Sequence, residues 1–241
     1  MDNAKITQLT EIIKAGNAVF LGGAGVSTES GIPDFRGTYG LYQGKYEYPA
    51  EEILSIDFLE DNPEYFYEFY KKNIIHTEAK PNAAHIKLAE LEAAGLLTAV
   101  ITQNIDGLHQ MAGSKNVVEM HGTIHKNYCI ECEKGYPLEA VTEAAGIPRC
   151  PCGGIIRPEV TLYGESLDID AITSAVDYIS AADTLIIGGT SLIVYPVAGL
   201  PGYFKGRNLV IINKSRTPLE GRAKLVISAS IGETLDLVRV S

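Results

Sequence analysis

Six short apolar runs most restrict the fold that this chain can adopt. They are residues 18–21, 96–102, 117–120, 184–187, 209–212 and 224–227. Each run is continuous rather than alternating, which is typical of parallel strands covered on both faces. Helical stretches separate most of them, such as the first one, in which Ile6, Leu9, Ile12 and Ile13 recur at helical spacing before Gly16. The sequence therefore predicts an α/β fold with a doubly wound, Rossmann-like parallel sheet.

The first apolar run leads into a glycine-rich turn, Gly22-Gly23-Ala24-Gly25. Glycines let the backbone approach a pyrophosphate, and the N–H groups at the start of a following helix attract an anion. A plain connection from strand to helix would use the same glycines. The spacing also departs from the dinucleotide fingerprint, because Thr28 takes the third glycine position and no acidic residue closes a second strand about 20 residues later. We therefore expect any nucleotide here to be held differently from a dehydrogenase cofactor.

All six predicted strands end in small or polar residues. In open α/β sheets, ligands bind in the crevice beyond the carboxyl ends of the strands. Any loop can begin with such residues, so the prediction depends on their convergence rather than on one of them. We expect a shared pocket lined by residues 22–27, 103–106, His121, 188–191 and Asn213.

Composition limits the classes of partner. The chain has 241 residues and a net charge of −10, and no block of Lys or Arg is longer than a pair, so direct nucleic-acid binding is not expected. An acidic surface suits basic partners, although it also serves solubility. No apolar run approaches the roughly 18 residues of a membrane span, and the first five residues do not begin a basic leader. We expect a cytoplasmic protein that does not bind a membrane.

The four cysteines of the chain form two close pairs, Cys129 with Cys132 and Cys150 with Cys152. In a cytoplasmic chain this spacing favours a zinc ribbon over two disulfides. The second pair is one residue tighter than the usual zinc knuckle, which the following glycines can accommodate. Four thiolates leave no position for water, so the predicted zinc ion is structural. His125 lies nearby and is interpreted as a surface residue.

Several strings resemble the sirtuins, NAD-dependent protein deacylases, of the bacterial type. They are GAGVSTESGIPDFRG (23–37), PNAAH (81–85), TQNIDGLH (102–109), HG (121–122), GTS (189–191) and IINKS (211–215), together with the two cysteine pairs. The match runs in the same order from about residue 5 to about residue 235. The resemblance implies a large NAD-binding domain of residues 1–37, 81–123 and 159–241. It also implies a small domain made of a helical insertion, 38–80, and the zinc ribbon, 124–158, with an acyl-lysine peptide entering the cleft between the two domains.

The resemblance further implies that NAD is a co-substrate and not a hydride carrier. The residues expected to bind it are Ala24, Gly25, Thr28, Asp34, Phe35, Arg36, Gln103, Ile105, Asp106, His121, Gly189, Thr190, Ser191, Asn213 and Ile231. Phe35, Ile105 and Asp106 would surround the nicotinamide, and Arg36 would fix the loop over the cofactor. Gln103 and Asn104 would hold the nicotinamide ribose and an ordered water.

His121 is the general base that the resemblance implies, with Asn104 as the second catalytic residue. The acetyl oxygen would attack the anomeric carbon as nicotinamide leaves, and His121 would remove a proton from a ribose hydroxyl. The products would be free lysine, nicotinamide and O-acetyl-ADP-ribose. Without the resemblance, a histidine at the end of a strand could equally be structural.

The peptide is implied to add as a strand between residues 160–165 and 192–195. Contacts are expected at Val160, Tyr163, Gly164, Glu165 and Val194. Main-chain pairing tolerates many sequences, so acetylated lysine-containing proteins or peptides are the expected partners. Relatives that remove succinyl or malonyl groups carry a tyrosine and an arginine after the DFRG string. This chain has no arginine between Arg36 and Arg149, which favours neutral acyl groups.

Two other functions use the same residues. One is ADP-ribosyl transfer to protein, which cleaves the same bond but uses a different acceptor. The other is a non-catalytic module that senses NAD or binds peptides. The presence of His121, of Asn104 and of both peptide-binding stretches favours deacylation.

Overall fold

The computed structural model describes residues 2–38 and 40–239. Its strands are β1 (Ala18–Gly22), β2 (Leu97–Thr102), β3 (Val117–Glu119), β4 (Gly122–Cys129), β5 (Gly135–Tyr136), β6 (Ile156–Val160), β7 (Thr184–Gly188), β8 (Asn208–Ile212) and β9 (Leu225–Ile227). Its α-helices are α1 (Asn3–Lys14), α2 (Ala50–Ile53), α3 (Ile56–Asp61), α4 (Pro63–Asn73), α5 (Ala83–Ala93), α6 (Leu108–Met111), α7 (Glu139–Thr142), α8 (Ile169–Ala181) and α9 (Ile231–Asp236). Within this described part, none of the helices combines the length and the apolar character that crossing a membrane requires.

The larger sheet has six parallel strands in the order β3-β2-β1-β7-β8-β9. These are the six apolar runs, with bounds that differ from the prediction by at most one residue at either end, so the predicted fold class is confirmed. The strand order reverses between β1 and β7, and all five residues of each of these two strands are buried. Such a reversal opens a crevice at the carboxyl ends of the two strands.

Helices cover both faces of this sheet. On one face, α1, α5 and α9 bury a cluster that includes Leu9, Leu88 and Leu235 against the strands. On the other face, α8 and a 3₁₀ segment at residues 197–203 pack over the alternate side chains. The predicted first helix is confirmed over Asn3–Lys14, and the Asp2 carboxylate caps it by accepting from the Ala4 N–H at 3.0 Å.

A separate apolar cluster joins the helical insertion to the ribbon. The ribbon sheet has the order β5-β4-β6 and is antiparallel. Phe66 and Tyr70 on α4 pack with Val141 of the ribbon and Ile156 of β6 in one cluster. The hydroxyl of buried Tyr67 adds a hydrogen bond to the Ile156 carbonyl at 2.8 Å. The aromatic stripe of α4 therefore serves packing.

The chain after β1 differs from the prediction. Instead of an α-helix, the chain forms two short 3₁₀ turns, Ala24–Val26 and Thr28–Ser30. The Val26 carbonyl, which an α-helix would pair with the N–H of Ser30, accepts instead from the Asn82 side chain at 2.8 Å. The expected helix start was wrong, because the N–H groups here bond to carbonyls three residues back and a side chain from another segment takes the Val26 carbonyl.

Two buried imidazoles touch beneath this turn. The rings of His85 on α5 and His109 on α6 lie 4.7 Å apart, and His109 is only 1% exposed. Neither ring nitrogen of His109 has a hydrogen-bond partner within the described residues. Burial lowers the pKa of His109 to about 3 and that of His85 to about 4, although the nearby Asp106 opposes the shift at His85. Both imidazoles are therefore neutral near pH 7.

Acid should destabilise the protein through this pair. Since both folded-state pKa values lie below the ordinary value of 6.5, the unfolded chain binds more protons once the pH falls below 6.5. The free energy of unfolding should fall by up to roughly 1.4 kcal/mol per pH unit for each imidazole until the folded pKa is reached. Urea unfolding at several pH values between 7 and 4 measures this slope. His109→Gln should have a shallower slope, and an unchanged slope would contradict the assignment.

Candidate functional site

The carboxyl ends of β1, β2, β3 and β7 meet in one place. The Gln103 side chain, after β2, donates to the Thr190 hydroxyl, after β7, at 2.9 Å. The Gly25 N–H, after β1, donates to the Gly189 carbonyl at 2.8 Å. The ring of His121, after β3, reaches the Gln103 carbonyl at 3.0 Å. The structure thus brings together residues of four predicted loops around one crevice.

The loops after β1 and β7 can contact each other because a glycine of each loop, Gly25 and Gly189, approaches the other closely. A Cβ atom added to Gly25 would lie 2.8 Å from the Gly189 Cα, and Gly189 has a φ of +60°. A side chain at either position would push the loops after β1 and β7 apart. Because the Gly25 N–H is already bonded to Gly189, it is not free to hold an anion.

A polar cluster lies beside this contact. The Ser27 hydroxyl donates to Asp106 Oδ2 at 2.6 Å and accepts from the Asn104 side chain at 3.0 Å. The Leu108 N–H donates to Asp106 Oδ1 at 3.0 Å. His85 Nε2 lies 3.5 Å from the Ser27 hydroxyl. Both carboxylate oxygens of Asp106 are thus held, which fixes the orientation of this group in the crevice.

The hydrogen bond that His121 makes to the backbone leaves its other ring nitrogen able to act as a base. Because a carbonyl oxygen only accepts, the bond to Gln103 places the proton on His121 Nδ1 and leaves Nε2 unprotonated. Burial lowers the pKa of His121, and the bond to Gln103 only partly offsets this effect. The imidazole is therefore neutral near pH 7, with one nitrogen able to accept a proton.

The loop after the first glycines is tied to the helical insertion. The Asp34 carboxylate accepts from the Gly37 N–H at 2.7 Å, which closes a turn. Arg36 forms an ion pair with Glu51 of α2 at 2.9 Å, and its guanidinium lies 4.9 Å from the centre of the Tyr42 ring. Arg36 therefore holds this loop against the helical insertion through contacts with two neighbours.

The first of the two expected peptide-binding stretches has a rigid inner side. Both oxygens of Glu165 accept from the Arg157 guanidinium, at 2.7 and 2.9 Å, and one also accepts from the Leu162 N–H at 2.8 Å. The Glu165 side chain is thus engaged internally and is not free for a ligand. Val160 is buried at the end of β6, whereas Tyr163 is 39% exposed.

The second stretch is more open. Ile193 is 50% exposed and Tyr195 is 78% exposed, while Val194 between them is half-buried. Gly164 of the first stretch has a φ of +91°, which favours glycine at that position. Exposed apolar side chains beside an exposed backbone leave room for an added strand.

The remaining predicted residues also lie at strand ends. Thr28 is bonded to the Gly25 carbonyl at 3.0 Å, Ser191 is exposed, and the Asn213 side chain donates to the Ser215 carbonyl at 2.8 Å. Ala24 and Ile105 are half-buried, and Ile231 is buried at the start of α9. The structure places all of them after β1, β2, β7, β8 or β9.

Sequence reasoning placed Ser27 in the pocket only as part of the range 22–27 and gave no role to His85 or Arg157. Ser27 and His85 lie inside the strings GAGVS and PNAAH, which are the signal in the sequence that points to them. No spacing in the sequence links Arg157 to Glu165, because that pair closes only when the stretch after β6 turns back on itself.

The four cysteines form a compact cluster. All four sulfur atoms lie within 4.8 Å of one another, with Cys129 to Cys152 at 3.4 Å and Cys132 to Cys150 at 3.6 Å. The two sulfur atoms of a disulfide lie about 2.05 Å apart, which is much closer than these sulfur atoms. Four sulfur atoms arranged tetrahedrally, each about 2.3 Å from a zinc ion, are separated from one another by distances close to those observed. The cluster therefore fits a structural zinc ion, as the sequence predicted.

Comparisons with known proteins agree with this geometry. The model of the Sir2 family matches residues 23–196. The NAD-dependent protein deacetylase of Clostridium perfringens is 56% identical over 97% of this chain and 98% of its own length. The corresponding protein of Clostridium acetobutylicum is 55% identical over the same shares of the two chains.

Solved structures match equally well. A Sir2 structure with p53 peptide and NAD⁺ superposes with a TM-score of 0.87 at 42% identity, covering 95% of each chain. A Sir2 variant with deacetylated p53 peptide and 3′-O-acetyl ADP-ribose gives 0.90 at 42% identity, covering 97% of this chain and 96% of the other. Sequence and structure therefore lead to one conclusion, that this chain belongs to the Sir2 family.

Proposed function

We propose that this protein is an NAD-dependent protein lysine deacetylase. With NAD and one water molecule, it would move the acetyl group of an acetyl-lysine side chain to the ribose of ADP-ribose, giving free lysine, nicotinamide and O-acetyl-ADP-ribose. One observation carries this function above all. The neutral His121 and the fixed carboxylate of Asp106 both lie at the strand ends of a Sir2-family chain.

We infer that the site lies in a cleft between two domains. The large domain comprises residues 1–37, 81–123 and 159–241, and the small domain comprises 38–80 and 124–158. The separate apolar clusters support this division, since one cluster joins the insertion to the ribbon and two others cover the larger sheet. The crevice residues lie where these parts meet.

The NAD phosphates would lie over the turns after β1 and β7. Ala24, Thr28, Thr190 and Ser191 stand at these strand ends with small or hydroxyl side chains that suit a phosphate. Asn213 and Ile231 would contact the adenosine from the ends of β8 and β9. Gly25 and Gly189 would contribute close packing, because the N–H of Gly25 is already bonded.

The nicotinamide would lie between Phe35, Ile105 and Asp106. A carboxylate held by Ser27 and by the Leu108 N–H cannot rotate away, so it can keep the nicotinamide amide in a twisted orientation. This twist favours cleavage of the glycosidic bond. Gln103 and Asn104 would hold the nicotinamide ribose and an ordered water.

His121 would act after nicotinamide leaves. The acetyl oxygen would attack the anomeric carbon and form an imidate, and unprotonated Nε2 would remove a ribose hydroxyl proton so that the hydroxyl oxygen can attack that imidate. Addition of water and cleavage of the carbon–nitrogen bond would then release the lysine amine and leave the acetyl group on the ribose. Four thiolates fill the coordination of the ribbon zinc, so its contribution is to hold the ribbon and not to bind substrate.

The peptide would add as a strand between residues 160–165 and 192–195. Pairing through the backbone makes acetylated proteins of many sequences acceptable. Neutral acyl groups would be preferred, because no arginine occurs between Arg36 and Arg149 to pair with a terminal carboxylate. Free thiols at a zinc site suit the reducing cytoplasm, which is where we place the protein.

Release of nicotinamide should require an acetylated peptide. The experiment incubates the protein with NAD, with and without an acetyl-lysine peptide, and follows free nicotinamide and deacetylated peptide together. Release that depends on the peptide and matches the amount of deacetylated product supports deacetylation. ADP-ribosylated protein formed without peptide would instead indicate transfer to protein, and no release under either condition would indicate a binding module.

Removing the base should abolish product formation without unfolding the protein. His121→Ala is expected to lower the rate of deacetylation by roughly a hundred- to ten-thousand-fold. His76→Ala, a change of a half-buried histidine on the insertion, should retain the rate of the unchanged protein.

The activity should also depend on pH through His121. Because burial lowers the pKa of His121, activity should stay constant from pH 8 to 7 and fall only below the ordinary histidine pKa of 6.5. A loss that begins above pH 7 would exclude His121 as the titrating base.

Zinc should be bound at one ion per chain and should be needed for a folded ribbon. Cys129→Ser removes a buried ligand of a site that contributes on the order of 10 kcal/mol, so zinc content and thermal stability should fall together. Tyr136→Phe removes only a hydroxyl 2.9 Å from the Cys150 sulfur and should keep the metal. Elemental analysis and thermal unfolding measure both effects. A Cys129→Ser protein with full zinc content would contradict the four-thiolate site.

A further inference from the structure

Two tyrosine hydroxyls join the loop that would cover NAD to the stretch that would bind the peptide. The oxygens of Tyr42 and Tyr163 are 2.5 Å apart. Tyr42 follows the string that contains Phe35 and Arg36, and Tyr163 lies in the middle of the stretch 160–165. These two segments approach each other from different parts of the chain.

Tyr42 is part of the cofactor loop, by which we mean residues 34–38 and 40–44. Its N–H donates to the Phe35 carbonyl at 2.9 Å, and the neighbouring Leu41 N–H donates to the Asp34 carbonyl at 2.8 Å. The Tyr42 ring meets the edge of Phe35 at 5.5 Å and lies under the guanidinium of Arg36. A change in the position of Tyr42 therefore moves Phe35, which is expected beside the nicotinamide, and Arg36, which is expected to fix the loop over the cofactor.

Tyr163 is part of the peptide edge, by which we mean residues 160–165. Its backbone bonds in both directions to the insertion, since its N–H donates to the Leu54 carbonyl at 3.0 Å and its carbonyl accepts from the Ile56 N–H at 2.9 Å. At the other end, the Thr161 N–H donates to the His121 carbonyl at 3.0 Å. The peptide edge therefore has a fixed backbone on which Tyr163 presents a partly exposed side chain.

The hydroxyl pair is a direct side-chain hydrogen bond between these two segments. Partial burial of Tyr42 raises its pKa, and the bond to Tyr163 raises it further, so the Tyr42 hydroxyl keeps its proton and can take part in this hydrogen bond. Since neither ring needs its hydroxyl to pack, this contact can be removed by Tyr→Phe changes without creating a cavity.

We propose that the Tyr42–Tyr163 hydroxyl pair couples peptide binding on the peptide edge to the ordering of the cofactor loop. A peptide strand that settles beside Tyr163 would hold its hydroxyl in place, and Tyr42 would then hold Phe35 and Arg36 over NAD. By linkage, NAD would strengthen peptide binding by the same factor. Tyr163 is thus a positioning residue, and this coupling depends on the proposed deacetylase function.

The first test needs no substrate. Hydrogen exchange measures opening of the cofactor loop through the N–H groups of Leu41 and Tyr42. Tyr163→Phe should speed their exchange by roughly three- to tenfold, which is the effect of losing one ordinary hydrogen bond. Tyr48→Phe is the matched control, because the Tyr48 ring packs on Phe58 and Tyr65 away from the pair. Unchanged exchange in Tyr163→Phe would overturn the connection.

The second test measures the coupling itself. The dissociation constant of NAD is determined with and without acetyl-lysine peptide for the unchanged protein, Tyr42→Phe, Tyr163→Phe and the double variant. The constant without peptide divided by the constant with peptide measures the coupling. This ratio should fall by roughly three- to tenfold in each single variant, and in the double variant it should fall no further than in either single variant. The pair would be excluded as the coupling element if the ratio were the same in all four proteins. It would also be excluded if the effect of the double substitution equalled the sum of the two single effects in free energy.

The two tests separate this inference from the proposed reaction. If the unchanged protein neither binds NAD nor deacetylates the peptide, the proposed function fails, whereas the exchange experiment still decides whether the hydroxyl pair holds the cofactor loop. If deacetylation occurs but Tyr163→Phe leaves the exchange rates of the Leu41 and Tyr42 N–H groups unchanged, the proposed function is supported and the coupling is wrong.

Discussion

The close packing of Gly25 against Gly189 is the contact on which the rest of the site depends. It lies between the loops after β1 and β7, where the strand order of the larger sheet reverses. With a Cβ at either glycine the loops would separate, and the Gln103 side chain would no longer reach Thr190. The glycines that suggest a phosphate site therefore serve first to let two turns touch, and the ligand crevice forms around that contact.

Hydrogen bonds at the strand ends determine the orientation of Asp106 and the position of the proton on His121. The Asp106 carboxylate accepts from both Ser27 and Leu108, so its direction is fixed before any ligand arrives. His121 keeps one nitrogen free because its other nitrogen is committed to the Gln103 carbonyl. In both cases a hydrogen bond to a residue at the strand ends determines what an ionisable side chain presents to the crevice.

The helical insertion and the ribbon contribute through attachment rather than through reactive groups. The ribbon sheet ends at β6, and the Arg157–Glu165 pair then fixes the stretch that follows. Glu165 was expected to contact a peptide, but its carboxylate is engaged with Arg157 and with the Leu162 N–H. A peptide on this stretch would therefore meet backbone groups and Tyr163, held from behind by a partly buried ion pair.

The sequence by itself determined the sheet, the zinc cluster and the set of loops that meet, because apolar runs, cysteine spacing and strand-end residues are local features. It did not determine the 3₁₀ turns at 24–30, since Asn82 takes the Val26 carbonyl only after α5 packs beside the turn. Nor did it determine the Arg157–Glu165 pair or the contact of Tyr42 with Tyr163. These contacts join side chains whose distance in space is decided by tertiary packing, which no periodicity along the chain records.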